Sequence, residues 1–139
     1  MLTTPAIEDV AAERGFLFYT THASDPLPAA VGLKVIEVIL RDRFTERAAI
    51  LGKRLKDGLL ALQQRHECIG DVRGRGLLLG LDMVKDRRSR TPDPELAQEV
   101  ARNCLELGMM TSTVRGGFGI FRIAPPLTAE EAEIDLGLE

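Results

Sequence analysis

The chain has 139 residues, 45% of them hydrophobic and 28% charged, which suits one soluble globular domain with a single core. The net charge of −3 argues against a dedicated nucleic-acid binder, and no apolar run approaches the ~20 residues of a membrane helix. Cys68 and Cys104 are isolated in the sequence, so we expect two reduced thiols and a cytoplasmic location. From the charge and the apolar runs we expect neither nucleic acid nor a membrane as partner.

Two helices are predicted in the first third of the chain, and each opens with a capping residue followed by proline. The first begins at Thr4 and ends at Gly15. Residues 16–19 are a short strand candidate, and a polar loop follows them. The second helix opens at Asp25 and is apolar nearly all round, so we expect it to be deeply buried, within this domain or against something outside it.

The middle of the chain predicts two helices separated by a strand. Residues 45–66 keep apolar side chains at three- and four-residue spacing, which indicates a helix with one packed face. Residues 77–84 form a strand so apolar that we expect it to be buried on both faces, or nearly so. A charged loop leads to Asp93, which caps a helix ending near Gly108.

The last part of the chain predicts a hairpin and a short helix. Residues 109–114 and 118–124 form two strands joined by a glycine-containing turn. A capping box from Thr128 to Glu131 opens the final helix. The element order predicts the α+β class, in which helices cover one face of a small antiparallel sheet.

One strand carries the most informative residue of the sequence. Alternation along residues 120–124 places Phe121 and Ile123 on one side and Arg122 on the other. A guanidinium among apolar neighbours needs an anion, because an unpaired buried charge is costly. That anion is either an internal carboxylate in a structural ion pair or a carboxylate that arrives from outside.

Glycines at Gly74, Gly76 and Gly80 allow a phosphate-binding loop or a close backbone approach. A strand follows them where a dinucleotide-binding fingerprint requires a helix, so close packing is the preferred interpretation. Neighbouring Arg73 and Arg75 could contact a phosphate, but two arginines do not make a basic patch.

The polar loop before the second helix also has two interpretations. Thr20, Thr21 and Ser24 could hold a phosphate at the helix start, although simple capping is the commoner role. Asp25 is either the helix cap or an oxygen ligand of a cation. His22 is interpreted as a polar loop residue. No nucleophile or general base can be assembled from the sequence, so we assign no catalytic residue.

Three stretches, in this order and spacing, resemble the C-terminal part of the class III aminotransferases. They read FYTTHASDPLPAA at residues 18–30, GDVRGRGLLLG at 70–80 and FRIAPPLT at 121–128. The resemblance covers essentially the whole chain, and the three motifs together are specific for the family. Within it, the first motif is most similar to that of the 2,2-dialkylglycine decarboxylases.

This resemblance implies a fold-type I enzyme, an α/β parent that depends on pyridoxal 5′-phosphate. Residues 1–42 then correspond to a connecting segment from the large cofactor-binding domain, and residues 43–139 to the C-terminal small domain. The lysine that binds the cofactor in relatives lies before the segment that matches this chain. The ends of the chain also predict a piece of a larger protein, so we expect the isolated chain to be inactive.

The resemblance also implies roles for individual residues. Arg122 corresponds to the arginine that binds the substrate α-carboxylate. Thr21 corresponds to the threonine that reaches the cofactor phosphate across a dimer. Thr21, the carbonyl of Ala23 and Asp25 correspond to the alkali-metal ligands of the decarboxylase branch.

The implied activity is decarboxylation-dependent transamination, in which a dialkylglycine loses CO₂ and pyruvate receives the amino group. The partners would be the large domain, a second copy in a homodimer or higher oligomer, and amino-acid and 2-oxo-acid substrates. An ordinary class III amino-acid or amine aminotransferase is the alternative. A stand-alone α+β domain that binds a small molecule through Arg122 is an alternative of another class.

Overall fold

The computed structural model describes residues 3–16, 19–22, 25–114, 116 and 118–139. The helices and strands are α1 (Pro5–Glu13), α2 (Pro26–Arg41), α3 (Phe44–Arg65), β1 (Ile69–Arg75), β2 (Leu78–Met83), α4 (Pro94–Glu106), β3 (Ser112–Thr113), β4 (Ile120–Ile123) and α5 (Glu131–Leu136). The chain divides into two compact units, Met1–Val38 and Ile39–Glu139. None of the helices in the described ranges has the length and apolar character needed to cross a membrane.

Four antiparallel strands form the sheet of the second unit, in the order β1-β2-β4-β3. The predicted hairpin is present, since β3 pairs with β4, although β3 has only two residues. Two residues of the predicted hairpin turn, Arg115 and Gly117, lie outside the described residues. The predicted α+β class with a small antiparallel sheet is confirmed.

Helices pack on one side of this sheet, which we call the helix-covered face. Helix α3 lies against β1, α4 lies against β2, β3 and β4, and α5 packs on α3. The apolar spacing predicted for α3 directs Leu51, Leu55 and Leu59 into the core. From the sheet, alternate residues including Leu79 and Phe121 meet them, and both are at most 3% exposed. Burial of these side chains supplies the main stabilisation of the unit.

The prediction that residues 77–84 are buried on both faces is wrong. Leu78 is 59% exposed, and Gly80 and Asp82 are half-buried, whereas Leu79 and Leu81 are in the core. The strand therefore alternates, because the described helices cover only one face of the sheet.

The final helix also begins later than predicted. Its first residue is Glu131, and the capping box joins Glu130 and Glu133 rather than Thr128 and Glu131. The backbone N–H of Glu130 donates to Glu133 Oε2 at 2.8 Å. The sequence pattern favours Thr128, because Ser and Thr are the usual N-cap residues of a capping box, whereas the structure uses Glu130.

In the first unit, both helices begin at the predicted capping residues. The strand candidate is not found at Phe16 or Tyr19, and its two middle residues lie outside the described part of the chain. Helix α2 has no buried residue, and apolar side chains such as Leu27 and Leu40 are 70% or more exposed. The deep burial expected for α2 is therefore not provided by the residues that the structure describes.

Candidate functional site

The side of the sheet opposite to the helices carries the charged residues of the strands, and we call it the open face. Its members are Asp71, Arg73 and Arg75 on β1, Leu78, Gly80 and Asp82 on β2, Ile120 and Arg122 on β4, and Ser112 on β3. One row of cross-strand partners runs Arg73, Gly80, Arg122, Ser112. The register thus brings two arginines to the same level of the sheet, with a glycine between them.

Arg122 lies on the open face, as the predicted alternation requires. Phe121, its neighbour on the other face, is buried in the core and fixes the strand beneath it. The guanidinium is exposed, not buried among apolar side chains as the sequence suggested. Its Nη2 group donates to Ser112 Oγ at 3.0 Å.

The internal ion pair considered for Arg122 is not found among the residues that the structure describes. Among the described residues, no carboxylate oxygen lies within 4.0 Å of its guanidinium nitrogens. A hydroxyl leaves the positive charge of the guanidinium uncompensated. The arrangement can therefore accept an anion from outside through the remaining N–H groups.

Arg73, the other arginine of the row, has the opposite environment. Its Nη1 group donates to Asp82 Oδ2 at 2.6 Å and to Asp71 Oδ2 at 3.1 Å. These two carboxylates raise the pKa of the Arg73 guanidinium above its ordinary value. The charge of Arg73 is thus compensated within the domain, and an incoming carboxylate would compete with two aspartates.

Sequence reasoning did not single out Ser112 or the acidic partners of Arg73. The contact between Ser112 and Arg122 depends on the register of β3 against β4, and β3 is too short to give a recognisable pattern. Asp71 and Asp82 lie side by side because they are direct cross-strand partners on β1 and β2. Alternation could have placed Asp71, Arg73 and Asp82 on one face, but it could not have paired them.

Gly74, near the end of β1, and Gly76, in the turn to β2, both have positive φ. Gly74 has φ +136°, and a Cβ there would lie 2.1 Å from the carbonyl oxygen of Leu78. Gly76, in the turn itself, has φ +56°. The close-packing interpretation is therefore confirmed for Gly74, and strand β2 follows directly where a phosphate loop would need a helix.

The loop before α2 shows the capping role predicted for Asp25. Its Oδ1 accepts the backbone N–H of Leu27 at 3.2 Å, and its Oδ2 lies 3.4 Å from Nδ1 of His22. A carboxylate has further lone pairs beyond those used here, so capping leaves room for a cation as well. Ala23, the carbonyl ligand predicted for that cation, lies outside the described residues.

Thr21 is exposed in the same loop. Thr20 Oγ1 accepts the backbone N–H of His22 at 3.5 Å, whereas the described residues offer no hydrogen-bond partner to the Thr21 hydroxyl. A hydroxyl that can still donate, just before a helix start, has the chemistry suited to a phosphate oxygen. The exposed Thr21 hydroxyl is thus able to donate to a phosphate oxygen, which is the role that the resemblance implies for it.

Comparison with known proteins identifies the family. Residues 4–139 match the sequence profile of the class-III aminotransferases. The chain belongs to this family, in agreement with the three motifs on which the sequence resemblance rests.

Curated relatives carry aminotransferase names. An uncharacterised aminotransferase of Schizosaccharomyces pombe is 46% identical over 100% of this chain and 32% of its own length. A mitochondrial alanine–glyoxylate aminotransferase 2 homologue of Arabidopsis thaliana is 36% identical over 100% of this chain and 29% of its own length. The 4-aminobutyrate aminotransferase of Escherichia coli is 34% identical over 86% of this chain and 28% of its own length. The chain thus spans about a third of the length of these relatives.

Solved structures of transaminases share the fold. A transaminase from the marine bacterium Virgibacillus superimposes with a TM-score of 0.79 at 28% identity, over 96% of this chain and 32% of that one. A transaminase from ancestral reconstruction superimposes with a TM-score of 0.78 at 32% identity, over 95% of this chain and 30% of that one. An amine transaminase from an uncultivated Pseudomonas species, solved with pyridoxal phosphate bound, gives 0.77 at 29% identity, over 88% and 28%.

Proposed function

We propose that this chain is the C-terminal part of a pyridoxal-phosphate-dependent class III aminotransferase, in which Arg122 binds the substrate α-carboxylate. Residues 1–42 would connect to the large domain, and residues 43–139 would form the small domain. The observation that carries the proposal is the exposed Arg122 guanidinium, held by a serine hydroxyl and without a carboxylate partner among the described residues.

The chemistry of guanidinium suits this role. A carboxylate is planar with two acceptor oxygens, and the guanidinium fork can donate to both at once, which lysine cannot reproduce. The strand backbone under Arg122 is fixed by the burial of Phe121, and Ser112 holds one arm of the fork. Arg122 would therefore orient the substrate by its carboxylate and need little rearrangement on binding.

Pyridoxal phosphate, when bound, supplies an electron sink for the bonds at the substrate α-carbon. From this chain, the Thr21 hydroxyl would donate to the cofactor phosphate of the partner subunit in a homodimer. The chain's four lysines are Lys34, Lys53, Lys56 and Lys85, and none stands in the sequence context of the family's cofactor-binding lysine. That lysine would come from the large domain, so the isolated chain should be inactive.

This last point can be tested on the chain itself. We expect that mixing it with pyridoxal phosphate, followed by borohydride reduction and mapping of the adducts by mass spectrometry, gives only scattered, substoichiometric labelling. A single stoichiometric adduct at one of the four lysines would contradict the proposal.

Within the family, we propose the decarboxylase branch on the strength of THASDP at residues 21–26. The reaction would convert a 2,2-dialkylglycine and pyruvate into a dialkyl ketone, CO₂ and alanine. Thr21, the Ala23 carbonyl and Asp25 would hold an alkali ion, since hard cations prefer oxygen ligands. An ordinary aminotransferase is the second candidate, favoured by the names of the curated relatives.

One assay of the complete enzyme separates the two candidates. With 2-aminoisobutyrate and pyruvate, the decarboxylase releases CO₂ and forms alanine in equal amounts, and the rate depends on potassium. Asp25→Asn should weaken the potassium dependence while keeping α2 intact, because asparagine also caps helices well. If no CO₂ is released while amino transfer from an ordinary amino acid is intact, the enzyme is an ordinary aminotransferase. If the potassium dependence is unchanged in Asp25→Asn, the proposal of an alkali-ion site at Asp25 is wrong.

A further inference from the structure

Gly80 is a glycine that its own domain does not require. It lies inside β2, where glycine lowers strand stability because it gives up more conformational freedom than other residues. Its φ lies outside the left-handed region, and within the described part of the chain a Cβ there would meet nothing closer than Ile120 Cγ2 at 3.6 Å, an ordinary contact. Neither backbone conformation nor packing inside the described domain explains the missing side chain.

The position of Gly80 in the sheet supplies another explanation. Gly80 is the direct cross-strand partner of Arg122 on one side and of Arg73 on the other. Its place on the open face is half-buried, and a side chain there would lie in the row between Arg73 and Arg122. Of these, Arg73 is held by Asp71 and Asp82, so only Arg122 has its charge uncompensated among the described residues.

The hydrogen bond of Arg122 is on the far side from Gly80. Ser112, which accepts from Nη2, is on β3, whereas Gly80 is on β2, the other neighbour of β4. The side of Arg122 next to β2 is thus bordered by a residue without a side chain. This arrangement leaves room there for a group that Arg122 binds.

We infer that Gly80 is a specificity-determining position, whose missing side chain leaves room beside Arg122 for the carboxylate end of an α-amino-acid substrate. This inference rests on the proposed function, in which Arg122 binds that carboxylate. A side chain at position 80 would then intrude on the space for the carboxylate, whereas a Cβ there meets no atom of the described domain closer than 3.6 Å.

The test compares Gly80→Ala and Gly80→Val with Leu78→Val, a control on the same strand and face. Propionate, a carboxylate without an amino group, serves as the probe, and its binding to the complete holoenzyme is measured by calorimetry. We expect Gly80→Val to raise the Kd for propionate by at least about tenfold, in the range of steric exclusion by one or two methyl groups. Gly80→Ala should give a smaller rise, and Leu78→Val none.

Kinetics and thermal melting separate this role from a structural one. In Gly80→Val, KM should rise for an amino acid but not for the amine that lacks its carboxylate, and Tm should stay the same or increase. Equal losses on both substrates, accompanied by a lower Tm, would overturn the inference and indicate that another segment of the enzyme packs on Gly80.

Arg122→Lys distinguishes failure of this inference from failure of the proposed function. If Arg122→Lys weakens propionate binding while Gly80→Val leaves it unchanged, the inference about Gly80 is wrong and the role of Arg122 stands. If Arg122→Lys leaves propionate binding unchanged, the carboxylate site itself is wrong, and the inference is overturned with it.

Discussion

The two faces of the sheet differ in what their residues do. On the helix-covered face, Leu79 and Phe121 are buried in a continuous core with side chains from α3. On the open face, their chain neighbours Leu78 and Arg122 are exposed. Of these exposed residues only Arg122 belongs to the proposed binding site, and substitutions on the two faces should have different consequences for stability.

The largest effect on stability should come from the helix-covered face. Leu79 is 2% exposed, so Leu79→Ala should lower the free energy of unfolding by about 2–5 kcal/mol through lost burial and a residual cavity. Leu78→Ala, one residue away and 59% exposed, should change it by less than about 0.5 kcal/mol. Urea denaturation of the chain measures both, and similar losses would contradict the division between the faces.

A smaller loss is expected where α3 meets the turn between β1 and β2. A Cβ on Gly52 would lie 2.3 Å from backbone atoms of Gly76, so Gly52→Ala should cost about 1–3 kcal/mol by forcing the two apart. Gly32→Ala in α2 is the matched control, since no atom of the described residues lies within 4 Å of a Cβ there and alanine favours a helix by about 1 kcal/mol relative to glycine. If thermal unfolding shows the same change in stability for both variants, the close approach of Gly52 to the backbone of Gly76 is wrong.

The ion network of the open face should matter less for stability. Arg73→Gln removes the contacts with Asp71 and Asp82, but these side chains are 43% and 32% exposed and screened by solvent. We expect a loss of at most about 1 kcal/mol, decreasing as salt is added. A loss as large as that of Leu79→Ala, and independent of salt, would show that the open face also holds the fold together.

The smallest effect concerns the docking of α5 and depends on pH. Arg54 donates to both carboxylate oxygens of Asp135 at 2.6 Å, and this lowers the pKa of Asp135 below its ordinary 3.8. The pair therefore stabilises the folded chain above pH 3.8, and this contribution is lost as the pH falls through the lower folded value. Unfolding free energies of the wild type and Asp135→Asn should differ slightly near neutral pH and converge in acid; a constant difference would rule out this titration.

Local patterns in the sequence predicted the elements that depend on neighbouring residues. Asp93 caps α4 by accepting the backbone N–H of Leu96 at 3.0 Å, as expected from its position before a proline. The spacing of leucines predicted the buried face of α3, and alternation predicted the direction of Arg122. These features follow from periods of 3.6 and 2 residues, which any single stretch of sequence displays.

Features that depend on strand register could not be predicted in this way. The contact of Ser112 with Arg122 needs the pairing of β3 with β4, which the nine residues between them do not specify. Leu78 looked like a core residue because it lies in an apolar run, and its exposure follows only from the side on which helices pack. The family resemblance supplied the role proposed for Arg122, whereas its surroundings required the structure.

The most direct test of the account is Arg122→Lys in the complete enzyme, measured as kcat/KM for an amino acid and for the amine formed by removing its carboxylate. We expect a loss of about 2–5 kcal/mol in transition-state binding for the amino acid alone, because lysine cannot form the bidentate contact once the substrate and the rest of the enzyme exclude water from the pair. The amine should react as in the wild type, and Tm should remain unchanged since Arg122 is exposed. An equal loss on both substrates with a lower Tm would show that Arg122 is a structural residue and contradict the account.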